Sequence, residues 1–249
     1  MPPPEDSIPI AQLARAAYCP RQLHYARRED DHEPPPGVVA ARELAFEYER
    51  LRTARDETLR DRPIDVDPET YRSNLGRVAE RDDYDRLVDP GIRERFLVGR
   101  DCHGVAHKVL EPVDAAVSEA SPNGSQKSAS GDGAPPPAPT PTVISPGDPP
   151  PRGVWEPQRV RAVAVAKALA WERERPVPRA LVEYPTHGVI RTVRLTTRNK
   201  SAYRRTLWTV RSLSGVPSRI GDESKCAACE YREQCGTKTR SLKTMLGLG

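Results

Sequence analysis

The sequence predicts a mixed α/β protein, and three observations carry that expectation. Alternating apolar and polar residues pair up around turn sequences at 96–110 and 180–195, the pattern of two hairpins. Longer stretches around them repeat apolar residues at helical spacing. The chain has 249 residues, enough to bury one core with a small appended module, and no apolar run long enough to span a membrane.

Taken in order, residues 8–28 put Ile10, Leu13, Ala14, Ala17 and Tyr18 on one helical face, and Pro20 kinks or restarts that helix beside Cys19. Pro34, Pro35 and Pro36 break the chain, and 38–59 then reads as one long charged helix carrying Leu44, Phe46, Tyr48 and Leu51. Residues 61–95 are rich in Asp, Arg and Tyr with little periodicity, so surface loops with short helical turns are expected there. Two strands, 96–99 and 104–110, flank a polar turn. Residues 120–141 are mostly Ser, Gly, Ala and Pro, too poor in buriable surface to offset the entropy of ordering them, and are expected to form a disordered insertion.

A short strand resumes at 142–145 and ends in a proline-rich stretch. Pro157 suits the first turn of a helix with Val160, Val163, Ala164, Ala168 and Trp171, expected to be the most buried in the protein. Strands at 180–184 and 189–195 surround the turn Pro185-Thr186-His187-Gly188, and a last helix at 200–213 carries Tyr203, Leu207 and Val210. The expected organisation is a helical segment at 1–60, loops and a first hairpin at 61–119, the insertion at 120–141, a main core at 142–215 and a cysteine segment at 216–249.

The first residues, Met1-Pro2-Pro3-Pro4-Glu5-Asp6, lack the basic and apolar regions of a signal peptide, which points to a cytoplasmic protein whose thiols stay reduced. The net charge is +4, and of 39 basic residues 32 are arginine and seven lysine. Guanidinium forks suit phosphate oxygens, so a nucleic-acid partner fits this composition, as does a genome rich in arginine codons.

Cys226, Cys229 and Cys235 form a C-x2-C-x5-C triplet, with Cys19 far upstream in the dipeptide Cys19-Pro20. Thiols at such spacing face one point when a metal centre holds them, and a distal fourth ligand would tie the two ends of the chain together. Zinc sites usually present two close pairs or a pair with histidines, and the histidine nearest the triplet is His187. A three-plus-one cysteine set leans towards a [4Fe–4S] cluster, with zinc, a disulfide pair or unrelated buried thiols as the alternatives. Cys102, the fifth cysteine, reads as a small buried residue on a strand.

Cys19-Pro20, Gln158 with its Ala-rich helix, and Lys225-Cys226-x-x-Cys229-x-Tyr231-x-x-x-Cys235, together with the order of elements over 8–236, resemble the CRISPR-associated RecB-type exonucleases, the Cas-four family. The resemblance implies a restriction-endonuclease-like mixed sheet flanked by helices, with a helical cap closed by a four-cysteine [4Fe–4S] cluster on Cys19, Cys226, Cys229 and Cys235. It implies metal-dependent cleavage of DNA, in which carboxylates hold Mg2+ or Mn2+ and a lysine helps to activate water. It also implies DNA, single-stranded or with single-stranded ends, as partner, and a CRISPR integrase as a second one.

The residues that would carry this chemistry depart from the family pattern. In Gly104-Val105-Ala106-His107 histidine stands where the first aspartate belongs, and Ser145 and Gly147 occupy the places of the Glu and Lys of the second motif. Gln158 keeps the last motif, but Ala162 replaces its tyrosine. A site rebuilt from His107, Asp101, Asp114, Asp148 and Lys108 competes with the plainer reading that His107 is a strand residue and the aspartates lie on turns. His107, Asp101, Lys108 and Gln158 are therefore the catalytic candidates, Mg2+ or Mn2+ entering only if the site is active. Arg191, Arg198, Arg204 and Arg205 are the DNA-binding candidates. Three functions follow as expectations: a DNA-binding protein with a degenerate nuclease centre, an active single-strand exonuclease of repair, or a redox-responsive iron–sulfur scaffold.

Overall fold

The computed structural model describes residues 3–29, 36–112 and 138–237. Six strands form one mixed sheet: β1 (Ile8–Pro9), β2 (Ile92–Val98), β3 (Cys102–Leu110), β4 (Thr140–Ile144), β5 (Arg179–Tyr184) and β6 (Val189–Arg194). Its order is β1-β3-β4-β5-β6, with β2 also paired to β3. β2 runs antiparallel to β3 from Ile92↔Val109 to Val98↔His103. β1 and β4 meet β3 at different places: β1 is parallel at Cys102 and His103, β4 antiparallel at Lys108 to Leu110. β4 and β5 are parallel, and β5 and β6 form a hairpin. The strands expected from three separate sequence segments thus belong to one sheet.

Helices cover both faces. On one lie α1 (Ile10–Tyr18), α2 (Pro20–Ala26), α8 (Glu156–Glu172) and α9 (Thr197–Arg211); on the other lie α3 (Pro36–Leu44), α4 (Tyr48–Arg52), α5 (Asp56–Arg60), α6 (Pro68–Ala79) and α7 (Tyr84–Val88). β5 shows why: Ala180, Val182 and Tyr184 join the α8 core while Leu181 joins the α6 core, the period of two that a sheet buried on both faces requires. α8 starts with Pro157 in its first turn, and its Ala162, Val163, Ala164, Val165 and Ala166 are all buried, so small side chains let the helix lie close to the sheet. α10 (Glu223–Ala227) and α11 (Arg232–Thr237) are the last elements among the described residues.

Several expectations are corrected. The long helix expected at 38–59 is three short helices, and at the first break the Ala45 carbonyl accepts a 2.6 Å hydrogen bond from Lys108 Nζ. Residues 61–95 contain α6, a regular helix whose Asp67 side chain caps the Thr70 N–H at 2.9 Å, whose Pro68 stands in the first turn, and whose Tyr71, Leu75 and Val78 are buried. β4 begins at Thr140, ahead of the expected 142. Of the expected insertion, 120–137 lies outside the described residues, as does Asp114. Among the described residues no helix is long and apolar enough to cross a membrane.

Candidate functional sites: a four-cysteine recess and a fork in the sheet

The two ends of the chain meet. Cys19 sits in extended conformation (φ −161°, ψ 120°) between α1 and α2, with Pro20 opening α2. Cys226 lies in α10, Cys229 at the turn after it and Cys235 in α11, and all four cysteines line one recess. Hydrogen bonds seal the joint: the Tyr18 hydroxyl donates to the Lys225 carbonyl at 2.8 Å, the Tyr25 hydroxyl to the Gln234 carbonyl at 3.5 Å, and the Tyr231 hydroxyl to Glu29 at 2.5 Å. Tyr25, Ala26 and Tyr231 form a small core of their own, with Cys229 and Cys235 packed on it.

Four thiols lining one recess are a donor set that zinc or an iron–sulfur cluster could take, and no three of the cysteine sulfurs lie within 4.8 Å of one another. Arg21, Arg219, Lys225 and Arg232 line the same recess, a cationic surround suited to a centre of several thiolates. Burial, more than the neighbouring Cys19 and Cys235, pushes the Cys229 thiol up, so a bound cationic centre is what would favour its thiolate. Cys102 stands apart, buried in β3, where the Tyr203 hydroxyl reaches its sulfur at 3.4 Å and burial pushes its thiol up to about 11.

The second site is the fork where β4 leaves β3. Below Lys108 the two strands part, and the His107 ring fills the gap: its Nδ1 accepts the Ile144 N–H at 3.1 Å. Both ring nitrogens thus face protein donors, Nδ1 the Ile144 N–H and Nε2 the Arg161 guanidinium, and neither is left open to a metal ion. Burial first, then the Arg161 and Arg42 guanidinium groups, pushes the imidazole down to about 2, leaving it neutral. Arg161 reaches in from α8, its Nη2 3.4 Å from His107 Nε2 and its Nη1 donating to the Ile144 carbonyl at 3.1 Å. Gly104 lets α1 close over the strand, since a Cβ there would come within 3.0 Å of Ile10. Glu94, with a left-handed φ of 46°, is the one acid lining this recess among the described residues.

The remaining catalytic candidates are not brought together. Asp101 lies on the β2–β3 turn, paired with Arg211 at 3.3 Å and roughly 20 Å along the strand from His107. Lys108 points to the opposite face, where its ammonium pairs with Glu183 at 2.8 Å, both side chains fully buried, and Thr142 donates to the same carboxylate at 2.5 Å. Asp148 lies 3.6 Å from His187 Nε2, while Nδ1 stands 2.9 Å from the Thr186 hydroxyl and 4.0 Å from Asp65. Gln158 does reach the sheet end, donating to Ser145 at 3.2 Å. On the α8 face β4 presents Val143 and Ser145, because Ile144 belongs to the other core. The residues on the α8 side beside His107 are Val143 and, just past the end of β4, Ser145, while Gly147 lies further beyond the strand.

Arg191 of β6 lines a recess with Arg77 of α6 and Arg81 beyond it, but it alternates with Ile190 and so lies on the same sheet face as Val189 and Val193, the face that α9 covers; Arg198, Arg204 and Arg205 are exposed on α9. Trp208, 71% exposed, lies one turn from Arg204, Arg205 and Arg211 on α9, a feature the sequence reading missed. No protein-family model matches the chain, and a search of curated proteins finds no match.

Proposed function

We propose that this chain is an iron–sulfur, DNA-binding protein built on a RecB-type nuclease scaffold, similar to the Cas-four family, in which the nuclease centre has lost its metal ligands. The observation that carries the reading is the meeting of Cys19 with the C-terminal triplet around one cation-lined recess. Those four residues would hold a [4Fe–4S] cluster, whose part is to tie the terminal segments to the core. The sheet supports the scaffold: β2, β3 and β4 form an antiparallel meander, α8 crosses over, and β5 returns parallel to β4. In a nuclease of this type the divalent ion sits at the fork. Here two guanidinium groups, a valine and an imidazole whose nitrogens face protein donors stand there, with Glu94 the one acid among the described lining residues, and this set does not fit Mg2+ or Mn2+.

DNA binding is supported by the exposed α9 face, where Trp208 offers a stacking surface among arginines. That face also favours a nucleic-acid role over a purely redox one. By the family likeness, the setting is DNA processing during CRISPR adaptation, beside an integrase. The test is a binding and cleavage assay on labelled single-stranded DNA with cluster-loaded protein: salt-sensitive binding is expected, with the strand left intact in Mg2+ and Mn2+. Metal-dependent cleavage that disappears in His107→Ala would restore the active-exonuclease reading.

A further inference from the structure

The recess at the fork holds more fixed positive charge than its walls balance. Arg42 of α3 and Arg161 of α8 both face it, and His107 is neutral. Arg161 places Nη1 on the Ile144 carbonyl and Nη2 3.4 Å from His107 Nε2, and Arg42 acts electrostatically on Glu94, which leaves two guanidinium groups facing one carboxylate among the described lining residues. The recess has a volume of about 380 Å³, within the range of small-molecule sites. Phe96 stands at its wall 48% exposed, its ring 5.8 Å from that of His103.

We propose that this recess binds a phosphate ester, the terminal phosphate of a nucleic-acid strand, with Arg42 and Arg161 as the anion-holding forks and the Phe96 ring beside the adjoining base. Two guanidinium groups converging on a half-closed recess repel each other, and an anion between them removes that cost. The same charge that excludes a divalent cation from the fork thus selects a phosphate. Phosphate binding stands on the recess itself; only the source of the phosphate rests on the DNA-binding reading.

The experiment is calorimetric titration of the full-length protein with inorganic phosphate, then with short thymidine oligonucleotides carrying a 5′-phosphate, a 3′-phosphate or free hydroxyls at both ends. Arg42→Ala is the test variant and Arg204→Ala is the control. Inorganic phosphate should bind, and Arg42→Ala should weaken it about tenfold or more without lowering the unliganded melting temperature. One phosphorylated end should outbind the hydroxyl ends by a similar factor, an advantage lost in Arg42→Ala and kept in Arg204→Ala. Absence of phosphate binding, or equal binding by Arg42→Ala, overturns the site and leaves DNA binding through α9 standing. Arg42-dependent binding of free phosphate without any binding of oligonucleotide upholds the site and overturns the DNA reading.

Discussion

The ring of Tyr25 stacks on that of Tyr231, with centroids 5.7 Å apart and an interplanar angle of 20°. This contact joins α2 to the cysteine segment and places the Tyr231 hydroxyl on Glu29. Tyr231→Ala should therefore release the C-terminal segment, costing about 3 kcal/mol or more, and limited proteolysis should cut between α9 and α11 faster than in the parent. Tyr231→Phe keeps the stack and loses one hydrogen bond, so about 1 kcal/mol is expected. Equal proteolysis of the alanine variant and the parent would show that the stack does not hold the segment.

Lys108 and Glu183 form a fully buried pair under α3 and α4. Burial pulls the Lys108 ammonium down by more than Glu183 pulls it back up, so its value is lowered on balance. Lys108→Ala leaves the carboxylate without its cation and should destabilise by about 3–5 kcal/mol. Lys108→Met combined with Glu183→Leu should recover most of that loss, as chemical denaturation would show.

His107 makes stability depend on pH. Its ring is pushed down to about 2 in the folded protein against an ordinary value near 6.5, so between those values the unfolded chain binds the extra proton. The contribution is complete above pH 6.5 and is lost at about 1.4 kcal/mol per pH unit as pH falls. His24 and His103 are also lowered by burial. The measurement is therefore the difference between parent and His107→Gln, which should narrow as pH drops from 7 to 5. A constant difference would place the ring's protonation outside the fold.

The α9 surface should carry the salt-dependent part of DNA binding. Arg204→Ala and Arg205→Ala together should weaken single-strand binding about tenfold at low salt and flatten its dependence on salt. Trp208→Ala should weaken it with the salt slope unchanged, since stacking releases no counterions. Fluorescence anisotropy across a salt series separates the two.

β3, β5, β6, α8 and α9 were legible because their apolar runs are bounded by turn, Pro or Gly residues, whereas β1 was read as part of a helix and β2 begins at Ile92, ahead of the expected 96. α6 was readable from Asp67, Pro68 and the Tyr71, Leu75, Val78 spacing, but its surrounding charges masked the pattern. The break after Leu44 was not readable, and the Lys108 ammonium that meets the Ala45 carbonyl there comes from a distant strand. At the sites, cysteine spacing alone singled out the residues that meet in one recess. The arginine that fills the fork could not be found that way: Arg161 looks like any polar residue on a helix until α8 is laid across the end of β4.

The most direct test of the central claim is anaerobic purification followed by iron, acid-labile sulfide and zinc analysis of the parent and of Cys19→Ser, Cys229→Ser and Cys102→Ser. About four iron and four sulfide per chain are expected in the parent and in Cys102→Ser, with loss of both, and of the brown colour, in Cys19→Ser and Cys229→Ser. One zinc per chain without sulfide, or an iron content indifferent to Cys19, would contradict the four-cysteine centre.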